Sequence, residues 1–161
     1  MPSTAPSISR ESPAERPRVI CVDDEPNVLE SLKLLLSRHY DVRTAGGGTE
    51  GLNLLRDLGS VPVVMSDMRM PGMSGAEFLA EVARRSPTSA RILLTGATDI
   101  EVAAQAINTG DLFRFLLKPC DPDQLRATLR AAVELHRLRT AERDLLQRTL
   151  LGSIRALTEV L

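Results

Sequence analysis

Four apolar runs in this chain end on charged or hydroxyl residues: Asp23 and Asp24 follow VICV, Asp67 follows VPVVMS, Thr95 follows ARILL and Lys118 follows LFRFLL. Such runs, alternating with segments of helical period, predict the strands of an open parallel α/β sheet. The carboxyl ends of those strands share one edge, so residues far apart in sequence converge there. The expected result is a pocket of carboxylates, one hydroxyl and one ammonium.

Clustered carboxylates repel one another and raise each other's proton affinity unless a cation offsets the charge. Magnesium suits this donor set, because it accepts a few carboxylates, keeps several waters and sits beside phosphate oxygens. With Lys118 as a second positive charge and Thr95 as a donor, the pocket is suited to holding a phosphoryl group on one carboxylate. Aspartyl-phosphate chemistry is the class this suggests.

The DD of VICVDDEPN, the Asp of VVMSDMRMPGMSG, the Thr of ILLTG and the KP of FRFLLKP resemble the receiver domain of two-component response regulators. The resemblance covers residues 18–135, with the motifs in family order. It implies a flavodoxin-like, doubly wound sheet of five parallel strands, (βα)5, with an extended C-terminal helix. It implies that Asp67 accepts a phosphoryl group from a phosphohistidine on a sensor histidine kinase or phosphotransfer protein. Asp23, Asp24, Asp67 and the backbone carbonyl of Arg69 would hold Mg2+, Lys118 would pair with a phosphate oxygen, and Thr95 would act as the switch. Phe115 stands where such domains carry a rotating aromatic, and the Lys118-Pro119 bond is expected to be cis. Such a domain is not an enzyme beyond self-phosphorylation from small donors and autodephosphorylation.

Two other classes compete. A haloacid-dehalogenase-like phosphatase also uses an aspartyl nucleophile with magnesium, threonine and lysine, but it wants D-x-D-G-T after the first strand, where DDEPN stands. A degenerate receiver acting only as a structural dimerisation module would have lost pocket residues, and all of them are present.

Composition constrains less. A length of 161 residues allows one sizeable core plus an appendage, and 43% hydrophobic with 25% charged residues is ordinary for a globular domain. A formal net charge of -1 and no basic motif give no sign of direct nucleic-acid binding. Cys21 and Cys120 belong to no metal or redox motif and read as reduced thiols. With no signal-peptide or membrane-span pattern, a cytoplasmic protein without membrane contact is expected.

Along the chain, residues 1–16 are rich in Pro, Ser and Thr and read as a flexible leader. A receiver domain is expected over 17–137. Val28, Leu29, Leu32, Leu35 and Leu36 form a helical stripe after Pro26, with His39 closing that helix through a capping or dipole role. Gly46, Gly47 and Gly48 read as a loop leading into a helix rather than a phosphate cradle. Ser74 with Glu77, and Thr98 with Glu101, predict capping boxes for two later helices. The second of these carries only Ala103, Ala104, Ala106 and Ile107 as apolar anchors, which makes it a candidate moving part.

Asp121 and Pro122 start a last helix whose stripe includes Leu125, Leu129, Val133, His136 and Leu138. His136 reads as an interface histidine, since H-R-L-R-T lacks the acidic residue and proline of a kinase H-box. Residues 138–161 continue as a helical stalk with Leu145, Leu146, Leu150, Ile154, Leu157 and Val160. A receiver core has no surface left for that segment, so a homodimer through a coiled coil or a downstream output domain is expected. The stalk is similar to those preceding HD-GYP-type domains that hydrolyse cyclic di-GMP. No HD or GYP residues occur here, and the segment reads as truncated before such a domain.

Overall fold

In a computed structural model, which describes residues 16–160, the strands are β1 (Arg18–Val22), β2 (Asp41–Ala45), β3 (Val63–Asp67), β4 (Ala90–Thr95) and β5 (Arg114–Leu117). The helices are α1 (Pro26–Leu36), α2 (Gly48–Leu58), α3 (Gly75–Arg85), α4 (Ile100–Asn108) and α5 (Pro122–Val160). The strands pair in parallel in the order β2-β1-β3-β4-β5. This is the doubly wound flavodoxin-like sheet expected. The leader predicted over 1–16 lies outside the described residues except for Arg16.

The period-2 alternation of each strand divides the core between two faces. Val19, Cys21, Val63, Met65, Ile92 and Leu94 pack toward α1 and α5, with Leu36, Leu125 and Leu129 closing that side. Ile20, Val22, Val64 and Leu93 point the other way, where Leu52, Phe78, Leu79, Val82 and Ala103 cover them. Every residue of β3 and β4 is buried, whereas the outer strands β2 and β5 are partly exposed. Central strands covered on both faces explain the unbroken apolar runs in the sequence.

Local signals fare unequally. Pro26 occupies the first turn of α1, and Gly47 precedes α2 in the role assigned to the glycine triplet. Ser74 Oγ accepts the Glu77 N–H at 3.2 Å, so α3 is capped as predicted. The box predicted at Thr98 and Glu101 does not form. Ala97–Asp99 make a 3-10 turn, α4 starts only at Ile100, and no side chain caps it. His39 lies beyond the end of α1 and is exposed, and its backbone N–H rather than its ring meets the Leu36 carbonyl at 3.1 Å.

The last helix runs unbroken for 39 residues. His136 is half-buried: its Nδ1 lies 2.8 Å from the Thr88 carbonyl oxygen and ties α5 to the segment before β4. Beyond it Leu145, Leu146, Leu150, Leu151, Ile154 and Leu157 are all more than half exposed. Among the described residues no helix is long and apolar enough to cross a membrane.

Candidate functional site

The order 2-1-3-4-5 puts β1 beside β3, with consecutive connections departing to opposite faces at that point, and a crevice opens where the two strands end. Asp23 and Asp24 follow β1 and Asp67 ends β3, so the three carboxylates are brought together. One oxygen from each lies within 4.8 Å of the others. Thr95 ends β4 on the next strand, and Lys118 follows β5. The Met68 N–H donates to the Leu94 carbonyl and the Lys118 N–H to the Thr95 carbonyl, both at 2.9 Å, so the backbone holds the strand ends in register.

Lys118 Nζ reaches Asp67 Oδ1 at 2.7 Å and Asp23 Oδ2 at 3.6 Å. Burial disfavours the charged ammonium, but the hydrogen bond and charge of Asp67, joined by Asp23, outweigh it and hold Lys118 above its ordinary value. Asp23 is also pushed upward, by burial first and then by the charge of Asp67, against the N–H of Glu25 that donates to it at 2.9 Å. Its second oxygen, Oδ2, is buried without a hydrogen-bond partner. A buried carboxylate oxygen with only a long ammonium contact, beside two further carboxylates, is the donor set of a hard divalent cation. Magnesium therefore fits these residues.

Thr95 is fully buried, and its hydroxyl donates to the Gly96 carbonyl at 3.2 Å rather than toward Asp67. Phe115 is half-buried and, with Ala106 and Ile107, packs against the core group that contains Leu93 and Ala103. The Lys118-Pro119 bond is cis. The loop after Asp67 turns through Gly72, whose φ of 77° favours glycine. At Gly75 a Cβ would overlap the carbonyl oxygen of Asp67, so only glycine lets α3 start against the end of β3.

The Arg69 side chain had no partner legible in the sequence. It forms a two-pronged pair with Asp99, Nε to Oδ2 at 2.8 Å and Nη2 to Oδ1 at 3.2 Å, and Nη2 reaches the Thr98 hydroxyl at 3.4 Å. The loop after β3 is thereby latched to the 3-10 turn after β4, and Thr98 is engaged by Arg69 instead of capping α4. Arg91 was hidden as well. It is buried inside an apolar run and donates to the carbonyls of Ser89 at 2.8 Å, Asp111 at 2.8 Å and Gly110 at 3.1 Å. Cys21 is buried, and burial pushes its thiol up to about 12, which keeps it protonated at neutral pH.

Comparison with known proteins agrees with this geometry. The family model for the response regulator receiver domain matches residues 19–130. The hydrogenase transcriptional regulatory protein HoxA of Cupriavidus necator is 39% identical over 116 residues, covering 72% of this chain and 24% of that protein. The solved structure of an adenylate cyclase from Rhodopirellula baltica superposes with a TM-score of 0.80 at 37% identity, covering 82% of this chain and 98% of that one. The signal receiver domain of an HD domain-containing protein from Pseudomonas fluorescens superposes with a TM-score of 0.70 at 36% identity, covering 76% and 98%. The chain spans about a quarter of the length of the curated relatives it matches.

Proposed function

The chain belongs to the response regulator receiver domain family, and from that premise we propose that it is a cytoplasmic switch phosphorylated on Asp67 by a sensor histidine kinase. A carboxylate oxygen of Asp67 attacks the phosphorus of a phosphohistidine. The P–N bond breaks, the imidazole leaves and takes up a proton, and an acyl phosphate stands on Asp67. Asp23, Asp24, Asp67 and the Arg69 carbonyl would hold magnesium, which supplies charge to offset that of the phosphoryl oxygens. Lys118 moves from the Asp67 carboxylate to a phosphoryl oxygen. The observation that carries this reading is the contact of Lys118 with Asp67 beside two further carboxylates.

Thr95 is the relay. Its hydroxyl exchanges the Gly96 carbonyl for a phosphoryl oxygen, drawing on the turn that leads into α4, and Phe115 repacks behind it. Support comes from the thin anchorage of α4, which buries only Ala103, and from Ile100, Val102 and Leu117, which leave apolar surface exposed on α4 and β5. The signal would leave through the face of α4, β5 and α5.

The output proposed is the stalk, pairing with a second copy or leading into an output domain of HD-GYP type. Leu146, Leu150, Ile154 and Leu157 repeat at steps of three and four along one face and are exposed. The HD-type reading draws support from the stalk's sequence and from the similar receiver of an HD domain-containing protein. Residues 17–137 would be the switch and 138–161 the stalk.

Incubation with radiolabelled acetyl phosphate and magnesium tests the core of this. One phosphoryl group per chain is expected, lost in Asp67→Asn and on chelation of the metal. Steady hydrolysis of small phosphoesters without a retained label would support the phosphatase class instead.

A further inference from the structure

Helix α5 carries one continuous stripe at steps of three and four: Leu125, Leu129, Ala132, His136, Arg139, Arg143, Leu146, Leu150, Ile154 and Leu157. Its chemistry changes twice. The first three are buried in the core and the last four are exposed leucines and isoleucine, but the stretch where the helix leaves the domain is basic. A stripe that only joined a core to a coiled coil would stay apolar there.

That basic stretch borders a cavity of about 570 Å³ in the elbow between α5 and the domain. Arg143 lines it from α5, Arg56 from the end of α2, and Arg84 and Arg85 from the end of α3, with Ser60 and Thr88 adding hydroxyls. Leu52 and Leu55 form its floor and are themselves buried in the core. Carboxylates answer only part of this charge. Glu81 serves Arg84 at 2.6 Å and Arg85 at 2.8 Å, and Asp57 serves Arg56 at 3.2 Å. Arg143 has no ion pair among the described residues.

One turn before Arg143, two buried polar atoms also lack partners: Arg139 Nη1 and Thr140 Oγ1. Arg139 is close enough for its charge to oppose that of Arg91, whose guanidinium donates only to backbone carbonyls. Neither Arg139 nor Thr140 lines the cavity itself; there, four guanidiniums answered by two carboxylates leave positive charge that an anion would offset.

We propose that the elbow binds a small, multiply charged phosphate anion, its phosphates between Arg143 and the Arg84-Arg85 pair. The volume is that of a small-molecule site. Helices α2 and α3 end at the amino edge of the sheet, opposite the carboxylate pocket, so this site is separate from the phosphorylation site. Occupancy would brace the stalk against the domain.

Isothermal titration of the 161-residue chain with ADP and with inorganic pyrophosphate, in magnesium-free buffer at low salt, tests this. Saturable one-to-one binding is expected, retained in Asp67→Asn and weakened by about tenfold or more in Arg143→Gln and in Arg84→Gln, as loss of a charge-assisted contact implies. Arg143 stands on the exposed side of the elbow, so its loss leaves folding intact. Absence of binding by both probes overturns the proposal. So does binding that Arg143→Gln leaves unchanged, or binding that disappears in Asp67→Asn. If neither probe binds and Arg143→Gln instead weakens self-association in sedimentation, carboxylates of a second copy fill the elbow and the small-anion reading is wrong.

Discussion

Helices α3 and α4 start from the same kind of sequence signal and end with different anchorage. Ser74 caps α3, which then buries Phe78, Leu79 and Val82 completely. Thr98 does not cap α4, which begins later, behind a 3-10 turn, and buries Ala103 alone. The difference lies in the side chains of the first turns and in the competition for the capping hydroxyl. A phenylalanine and a leucine one turn in pin the start of α3 to the sheet, whereas alanines pin little and Arg69 engages Thr98 and Asp99 from across the pocket. The firm helix comes after Asp67 and the loose one after Thr95, which suits a fixed acceptor beside a movable relay.

The largest expected effect comes from removing the anchor of the firm helix. Phe78→Ala should destabilise the domain by about 3–5 kcal/mol in urea unfolding, the usual outcome of a large cavity in a close-packed core. A loss under about 1 kcal/mol would erase the contrast with α4.

The caps sharpen the same point on a smaller scale. Ser74→Ala should cost about 1 kcal/mol, as loss of a formed N-cap does. Thr98→Ala should change stability by less than about 0.5 kcal/mol, because its hydroxyl makes no cap. Equal losses would mean that both boxes form in solution.

A third test concerns the pocket that both helices border, and its effect should be smaller and opposite in sign. Burial and the charge of Asp67 hold Asp23 above the ordinary carboxylate range. Its contribution to stability is therefore present below the unfolded-state value and is lost as pH rises through the raised value. At neutral pH without metal the ionised group is a liability. Asp23→Asn should raise the melting temperature there, flatten its decline between mildly acidic and neutral pH, and remove most of the stabilisation that magnesium gives the parent. A variant less stable than the parent in chelator would show that the contacts of Asp23 with the Glu25 N–H and Lys118 outweigh its burial and the charge of Asp67.

Much of this was legible in the sequence, for physical reasons. Apolar runs name their own strands, and each is closed or followed by a residue at the carboxyl edge of the sheet, so Asp23, Asp24, Asp67, Thr95 and Lys118 could be placed at that edge from the chain alone. The hidden part depends on tertiary contacts between segments far apart. Nothing local tells that Arg69 will meet Asp99, that Arg91 will sit inside a buried strand surrounded by carbonyls, or that His136 will reach Thr88. The misread box at Thr98 belongs with these: the residues for a cap were present, and a long-range pair decided otherwise. The leucines of α5 were legible as a stripe, but the basic elbow within that stripe became visible only with α2 and α3 beside it.

The central claim is that charge placed on Asp67 moves α4 and leaves α3 in place. Amide hydrogen exchange with magnesium, with and without the phosphoryl mimic beryllofluoride, measures both helices at once. The account predicts altered protection in Ala97–Asp99, α4 and β5, little change in α3, and no response in Asp67→Asn. Equal changes in α3 and α4, or a response that survives in Asp67→Asn, would contradict it.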